Sequence, residues 1–114
     1  MSEGIKTIIY PVTDIAKAKP VYSRLLGTEP AYDESYYVGY TVGGQDIGLD
    51  PNGHRSGMTG PVAYLHVEDI QRSMQVLLDA GGEVQGKVRD VGGGRQIVTV
   101  KDADGNAIGL LQDS

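Results

Sequence analysis

A chain of 114 residues, 39% hydrophobic and 22% charged, has the length and composition for a single modest core. A formal charge of −5, with no run of Lys and Arg, argues against binding nucleic acid or an anionic membrane, and the apolar stretch near the start is too short for a signal sequence or a membrane span. The lack of cysteine removes disulfides, zinc knuckles and thiol nucleophiles, and a cytoplasmic protein is the expectation.

A strand-like run at 5–12 precedes a helix pattern at 13–27. There Thr13-Asp14 is a cap, Ile15, Ala18, Tyr22, Leu25 and Leu26 recur at roughly helical spacing, and Gly27 is a stop. Pro20 removes the bond to the Ala16 carbonyl at a cost of about 3 kcal/mol in a regular helix, so a kink is expected near Ala16–Pro20. A short strand near Pro30–Asp33 and longer ones at 36–42 and 46–50 follow, the last two joined by a Gly43-Gly44 hairpin turn. Residues 51–60, "PNGHRSGMTG", are turn formers and read as a linker.

The pattern then starts again. A strand at 61–67 leads into a helix that begins at Asp69, points Ile70, Met74, Leu77 and Leu78 inward, and ends at Gly81-Gly82. Strands at 83–91, 95–100 and 106–111 complete the chain, with Asp104-Gly105 as a turn. Val12-x-Asp14-Ile15 returns 55 residues later as Val67-x-Asp69-Ile70, and "QDIGLD" (45–50) returns 61 residues later as "NAIGLL" (106–111). Two β-α-β-β-β modules, about 5–50 and 61–112, thus make one α+β domain across 1–114.

The run "VTDIAKAK" with "YSRLLG" after it, the duplicated unit, and "VKDADGNAIGLL" near the end resemble the vicinal oxygen chelate superfamily. That superfamily includes glyoxalase I, extradiol dioxygenases, fosfomycin-resistance enzymes and bleomycin-resistance proteins. The resemblance covers residues 5–112. It implies a curved mixed sheet around a concave cup, helices on the outer face, and a homodimer. In catalytic members a divalent metal sits in the cup, held by side chains of the first and fourth strands of each module.

The resemblance places the first-strand ligand, usually His, seven residues before each capping aspartate, which here gives Thr7 and Val62. It places the fourth-strand ligand, commonly Glu, between the Ile and Leu of the repeated strand, at Gly48 and Gly109. Threonine is a poor neutral donor, and valine and glycine supply no ligand at all. Neither a metal nor another cofactor is therefore expected.

Side chains alternate along a strand, so Ile47 and Leu49 face the helix-covered core while Gly48 faces the cup, and Gly109 does so between Ile108 and Leu110. Two readings of these glycines stay open. They are floor space for a ligand, or they serve sheet curvature and close contact with a partner's sheet. Alternation also puts Val62, Tyr64 and His66 on one face, where the latter two suit a planar ligand, unless His66 is a strand-end residue solvated or bonded to Glu68.

In "SYYVGYTV", Tyr36 and Tyr40 share one face and Tyr37 takes the other, so at least one phenol lines the cup. Such a wall suits an aromatic or cationic small molecule, or else the rings fill a dimer interface. Asp46 and Asp50 flank Gly48, either in reach of a cation or as plain strand-end charges. His54 and Arg55 in the linker and Arg95 in "VGGGRQ" are further candidates, as a lid and as an anion contact. The three glycines at 92–94 read as a hairpin loop, since no helix and no Lys-Ser/Thr pair follows them.

The leading expectation is a metal-free member of the superfamily that binds a small apolar or aromatic molecule in the cup. One alternative is a lyase, isomerase or dioxygenase that works without metal or recruits it through His54, His66, Asp46 and Asp50. The other is a dimeric module whose own side chains fill the cup.

Overall fold

Both expected β-α-β-β-β modules are present in the computed structural model, which describes residues 2–114. The chain divides into two compact units, a first of residues 6–62 and a second of residues 63–114 that also takes in 2–5.

The first module comprises β1 (Ser2–Pro11), α1 (Ile15–Leu26), β2 (Tyr32–Glu34), β3 (Tyr37–Val42) and β4 (Gln45–Asp50). Its strands lie in the order β2-β3-β4-β1, with β1 parallel to β4 and the other neighbours antiparallel. Gly43 and Gly44 link β3 to β4 at φ 56° and 78°, the left-handed pair that a tight hairpin matched to strand twist requires. The Asp14 carboxylate accepts from the Ala16 and Lys17 amides and starts α1.

The face of α1 toward the sheet is Ile15, Ala18, Tyr22 and Leu26, packed on Val38, Tyr40, Leu49 and their neighbours Tyr10, Val12 and Ile47. Leu25, which shares the roughly helical spacing with Leu26, is 77% exposed. Adjacent helical residues diverge by about 100°, so only Leu26 continues the spacing that reaches the core. In α2 the same reason leaves Leu78 exposed while Leu77 packs inward.

Helix α1 runs continuously through Pro20. The sheet grips it there. The Tyr40 phenol, 1% exposed, donates to the Lys19 carbonyl at 3.0 Å and shares a hydrogen bond with Ser23 Oγ at 2.9 Å. These contacts hold the turn where proline has removed one helical bond.

The second module comprises β5 (Val62–Val67), α2 (Ile70–Asp79), β6 (Glu83–Asp90), β7 (Gln96–Lys101) and β8 (Ala107–Gln112). The order is β5-β8-β7-β6, again with one parallel pair, β5 and β8. Asp69 caps α2 through the Arg72 amide, and the Ile70 amide donates to Gln112 Oε1 at 2.7 Å, tying the helix start to the end of β8. Val67, Ile70, Val98, Val100 and Leu110 form the core, with Leu65, Met74 and Leu77 against it.

The turns match their sequence signals. Between β7 and β8 the Asp102 carboxylate accepts from the Asn106 side chain and from the Asp104 and Asn106 amides, and these bonds, led by the Asn106 side chain, hold its pKa below the ordinary carboxylate value. Residues 91–95 are a hairpin loop closed by the Val91 amide on the Arg95 carbonyl. The segment after β4 is a folded turn in which Met58 donates to the Gly53 carbonyl, and a Cβ on Gly53 would stand 2.7 Å from Pro11 Cβ. Among the described residues no helix is long and apolar enough to cross a membrane.

Replacing Tyr40 with Phe keeps the ring and deletes both phenol contacts with α1. We expect a loss of about 1–2 kcal/mol in urea denaturation, since the Lys19 carbonyl and Ser23 hydroxyl keep no replacement partner from the ring.

Candidate functional site

Because Tyr10, Val12, Val38, Tyr40, Ile47 and Leu49 pack beneath α1, alternation turns Thr7, Ile9, Tyr37, Gly39, Asp46 and Gly48 to the opposite face of that sheet. Ile9 and Gly39 flank Gly48 in register. Any Cβ added to Gly48 would run into the Tyr37 phenol oxygen and lie 2.6 Å from Tyr37 Cζ. Tyr37 therefore lies across Gly48, reaching it diagonally from the neighbouring strand.

The second unit repeats this with different parts. Leu65, Val67, Val98, Val100, Ile108 and Leu110 belong to the α2 side, which leaves Tyr64, His66, Ile97, Gly109 and Leu111 on the opposite face. Tyr64 pairs directly with Gly109, and a Cβ there would meet Tyr64 Cδ2 and stand 2.5 Å from Cγ and Cε2. Tyr64 is only 5% exposed. In both units the space above the strand glycine is filled by a tyrosine of the same unit. Neither open reading of the glycines, ligand floor or sheet curvature with a partner's contact, named these rings of the chain itself.

That packing decides the fit of a divalent metal at the places the resemblance indicates. Thr7 and Val62 are buried, with one hydroxyl between them and no imidazole or carboxylate, and the space at Gly48 and Gly109 is taken by phenol rings. Among the described residues no group of three or more His, Cys, Asp or Glu side chains is placed to hold a metal. These residues do not fit the family's metal centre.

The tyrosines divide by face. Tyr40 belongs to the core under α1, which corrects its expected place on a ligand wall. Tyr36 lies in the turn before β3 rather than on a strand face, 56% exposed, and its phenol is hydrogen-bonded to that of Tyr32. Tyr32 pairs with Gly39 and its ring stands 6.1 Å from Tyr36 and 6.2 Å from Tyr37, centroid to centroid, at 73° and 59°. The three rings form one group on the face away from α1. The bond with Tyr36 is the main cause that pushes the Tyr32 phenol above its ordinary pKa of 10.0. Tyr32 escaped the sequence pattern because β2 is three residues long, too short to fix a face until it pairs with β3.

His66 is buried, with Nδ1 3.8 Å from Asp113 Oδ2, and Arg95 Nε donates to Asp113 Oδ1 at 2.7 Å. Asp113 thus gathers the two candidates His66 and Arg95, a role that nothing in the sequence around Asp113 signalled. Arg95 is engaged by a carboxylate of its own chain. His54 and Arg55 stand exposed on the turn after β4, outside the tyrosine group.

Residues 4–110 match the model of the Glyoxalase/Bleomycin resistance protein/Dioxygenase superfamily. No curated protein matches the chain significantly. Among solved structures, methylmalonyl-CoA epimerase from Mycobacterium tuberculosis is 18% identical with a TM-score of 0.77, covering 99% of this chain and 89% of its own. A glyoxalase/bleomycin resistance protein/dioxygenase superfamily member from Vibrio splendidus 12B01 is 18% identical with a TM-score of 0.72, covering 99% and 100%. A structure described as NAD-dependent benzaldehyde dehydrogenase from Legionella pneumophila is 15% identical with a TM-score of 0.75, covering 95% and 98%. At these identities the likeness is one of fold.

Gly109→Ala meets the root of a buried ring, whereas Gly48→Ala meets the far, phenol end of a half-buried one. We expect Gly109→Ala to lose about 1–3 kcal/mol in chemical denaturation and Gly48→Ala less. In a Tyr64→Ala background the Gly109→Ala penalty should largely vanish, which a double-mutant cycle measures.

Proposed function

Because the chain belongs to the glyoxalase/bleomycin resistance protein/dioxygenase superfamily, we propose that it acts as a binding member of that family, taking a small apolar or aromatic molecule without a divalent metal. The observation that carries this reading is the pair of tyrosine rings over Gly48 and Gly109, where the family's chemistry would need ligating side chains. A phenol ring offers wide apolar contact with one polar tip, the surface that a planar or apolar ligand uses.

The exposure of its rings supports a site on the first unit. Tyr64 and His66 are covered and support the second unit's packing, while Tyr32 and Tyr36 are exposed and Tyr37 is half-buried beside them. Gly48 lies under the Tyr37 ring with Ile9 paired beside it, and Tyr40 fixes β3 from the other side. The working form in this reading is a homodimer, which the family resemblance supports.

Calorimetric and tyrosine-fluorescence titration with a panel of small aromatic molecules tests this reading. We expect saturable binding, one molecule per chain, weakened about tenfold or more by Tyr37→Ala. Failure of every compound to saturate would overturn it. So would metal-dependent turnover of an α-keto thiohemiacetal or a catechol that His66→Ala abolishes.

A further inference from the structure

We propose that the tyrosine-bearing face of the first unit selects organic ammonium ions, protonated or quaternary amines on an apolar body. This rests on the binding reading above and adds the charge of the ligand.

Strand alternation and register place Glu34 opposite Tyr37, on the same face. They place Asp46 and Asp50 on that face too, on either side of Gly48, the residue that Tyr37 crosses. The face that carries the rings of Tyr32, Tyr36 and Tyr37 thus also receives carboxylates from β2 and β4, where Asp50 Oδ1 accepts from the Asn52 amide and Asp46 Oδ1 from the Thr41 hydroxyl. None of the positions that β2, β3 and β4 turn to this face is Lys or Arg. The nearby cation of α1, Lys19, is held at 2.9 Å by Asp33, which alternation turns to the helix side.

Aromatic faces attract cations through the ring quadrupole, weakly when exposed and more strongly when several rings exclude water together. Carboxylates at the rim add attraction for a cation and repulsion for an anion, while a neutral molecule of equal shape gains neither. Charge complementarity thus decides among occupants of this face. The net charge of −5 acts in the same direction at long range.

The test uses the whole chain and two water-soluble probes of equal shape, choline and its neutral carbon isostere 3,3-dimethylbutan-1-ol, followed by the ring resonances of the tyrosines. Choline should bind about tenfold more tightly than the neutral probe and lose affinity as salt rises. Tyr32→Leu and Glu34→Gln, both at exposed positions of the edge strand, should each weaken choline several-fold without changing the thermal midpoint. Equal binding of the two probes would overturn the charge preference and leave the binding reading standing. Choline binding that both variants leave unchanged would overturn the assignment to this face. Resonances that respond to protein concentration and not to choline would overturn it in favour of a second copy covering the rings.

Discussion

A glycine inside a strand leaves a gap in the sheet surface, and folded proteins pack too closely to keep such gaps empty. Here two gaps, at Gly48 and Gly109, are filled by the rings of Tyr37 and Tyr64, and much else follows from that contact. Glycine gives up about 0.5–1 kcal/mol against alanine in a strand, which the buried area of a tyrosine ring offsets. The rings in turn occupy the space next to both glycines. A carboxylate at either glycine position would have to displace a ring before it reached a metal, so the vacant ligand positions are closed positions.

The two modules reach the same result by different routes. Ile9 pairs with Gly48 as Tyr64 pairs with Gly109, and Gly39 pairs with Gly48 as Thr99 pairs with Gly109. By that register Ile9 stands where Tyr64 stands, and Ile97 stands where Tyr37 stands. Each module carries one aromatic and one isoleucine at these two places, with the aromatic on the third strand in the first module and on the first strand in the second. The buried Tyr64 gives the second unit a closed surface, whereas Tyr37 joins the exposed Tyr32 and Tyr36 and gives the first unit an aromatic one.

What was legible in the sequence was local. Asp14 and Asp69 as caps, the Gly43-Gly44 turn and the repeated helix starts depend on a few adjacent residues, and the structure has them all. The alternation of Ile, Gly and Leu correctly turned both glycines away from the helices. What it left open depended on registers between strands. Nothing in "SYYVGYTV" reveals that Tyr37 reaches diagonally to Gly48, or that Tyr40 bonds to the Lys19 carbonyl 21 residues away in sequence. Leu78 faces solvent and not inward as expected, because two adjacent leucines fit a helical stripe about equally well until the sheet selects one. Asp113, near the end of the chain, acquired its place beside His66 and Arg95 only through the pairing of β8 with β5 and β7.

The Tyr37 and Tyr64 rings over Gly48 and Gly109 leave no open space there for a metal. Elemental analysis after exchange into chelator-free buffer, followed by titration with Ni, Zn, Mn and Fe(II), tests it most directly. With both rings in place, the expectation is no stoichiometric ion and no saturable uptake. One tightly held divalent ion per chain would contradict it, because Tyr37 or Tyr64 would then have to leave its glycine.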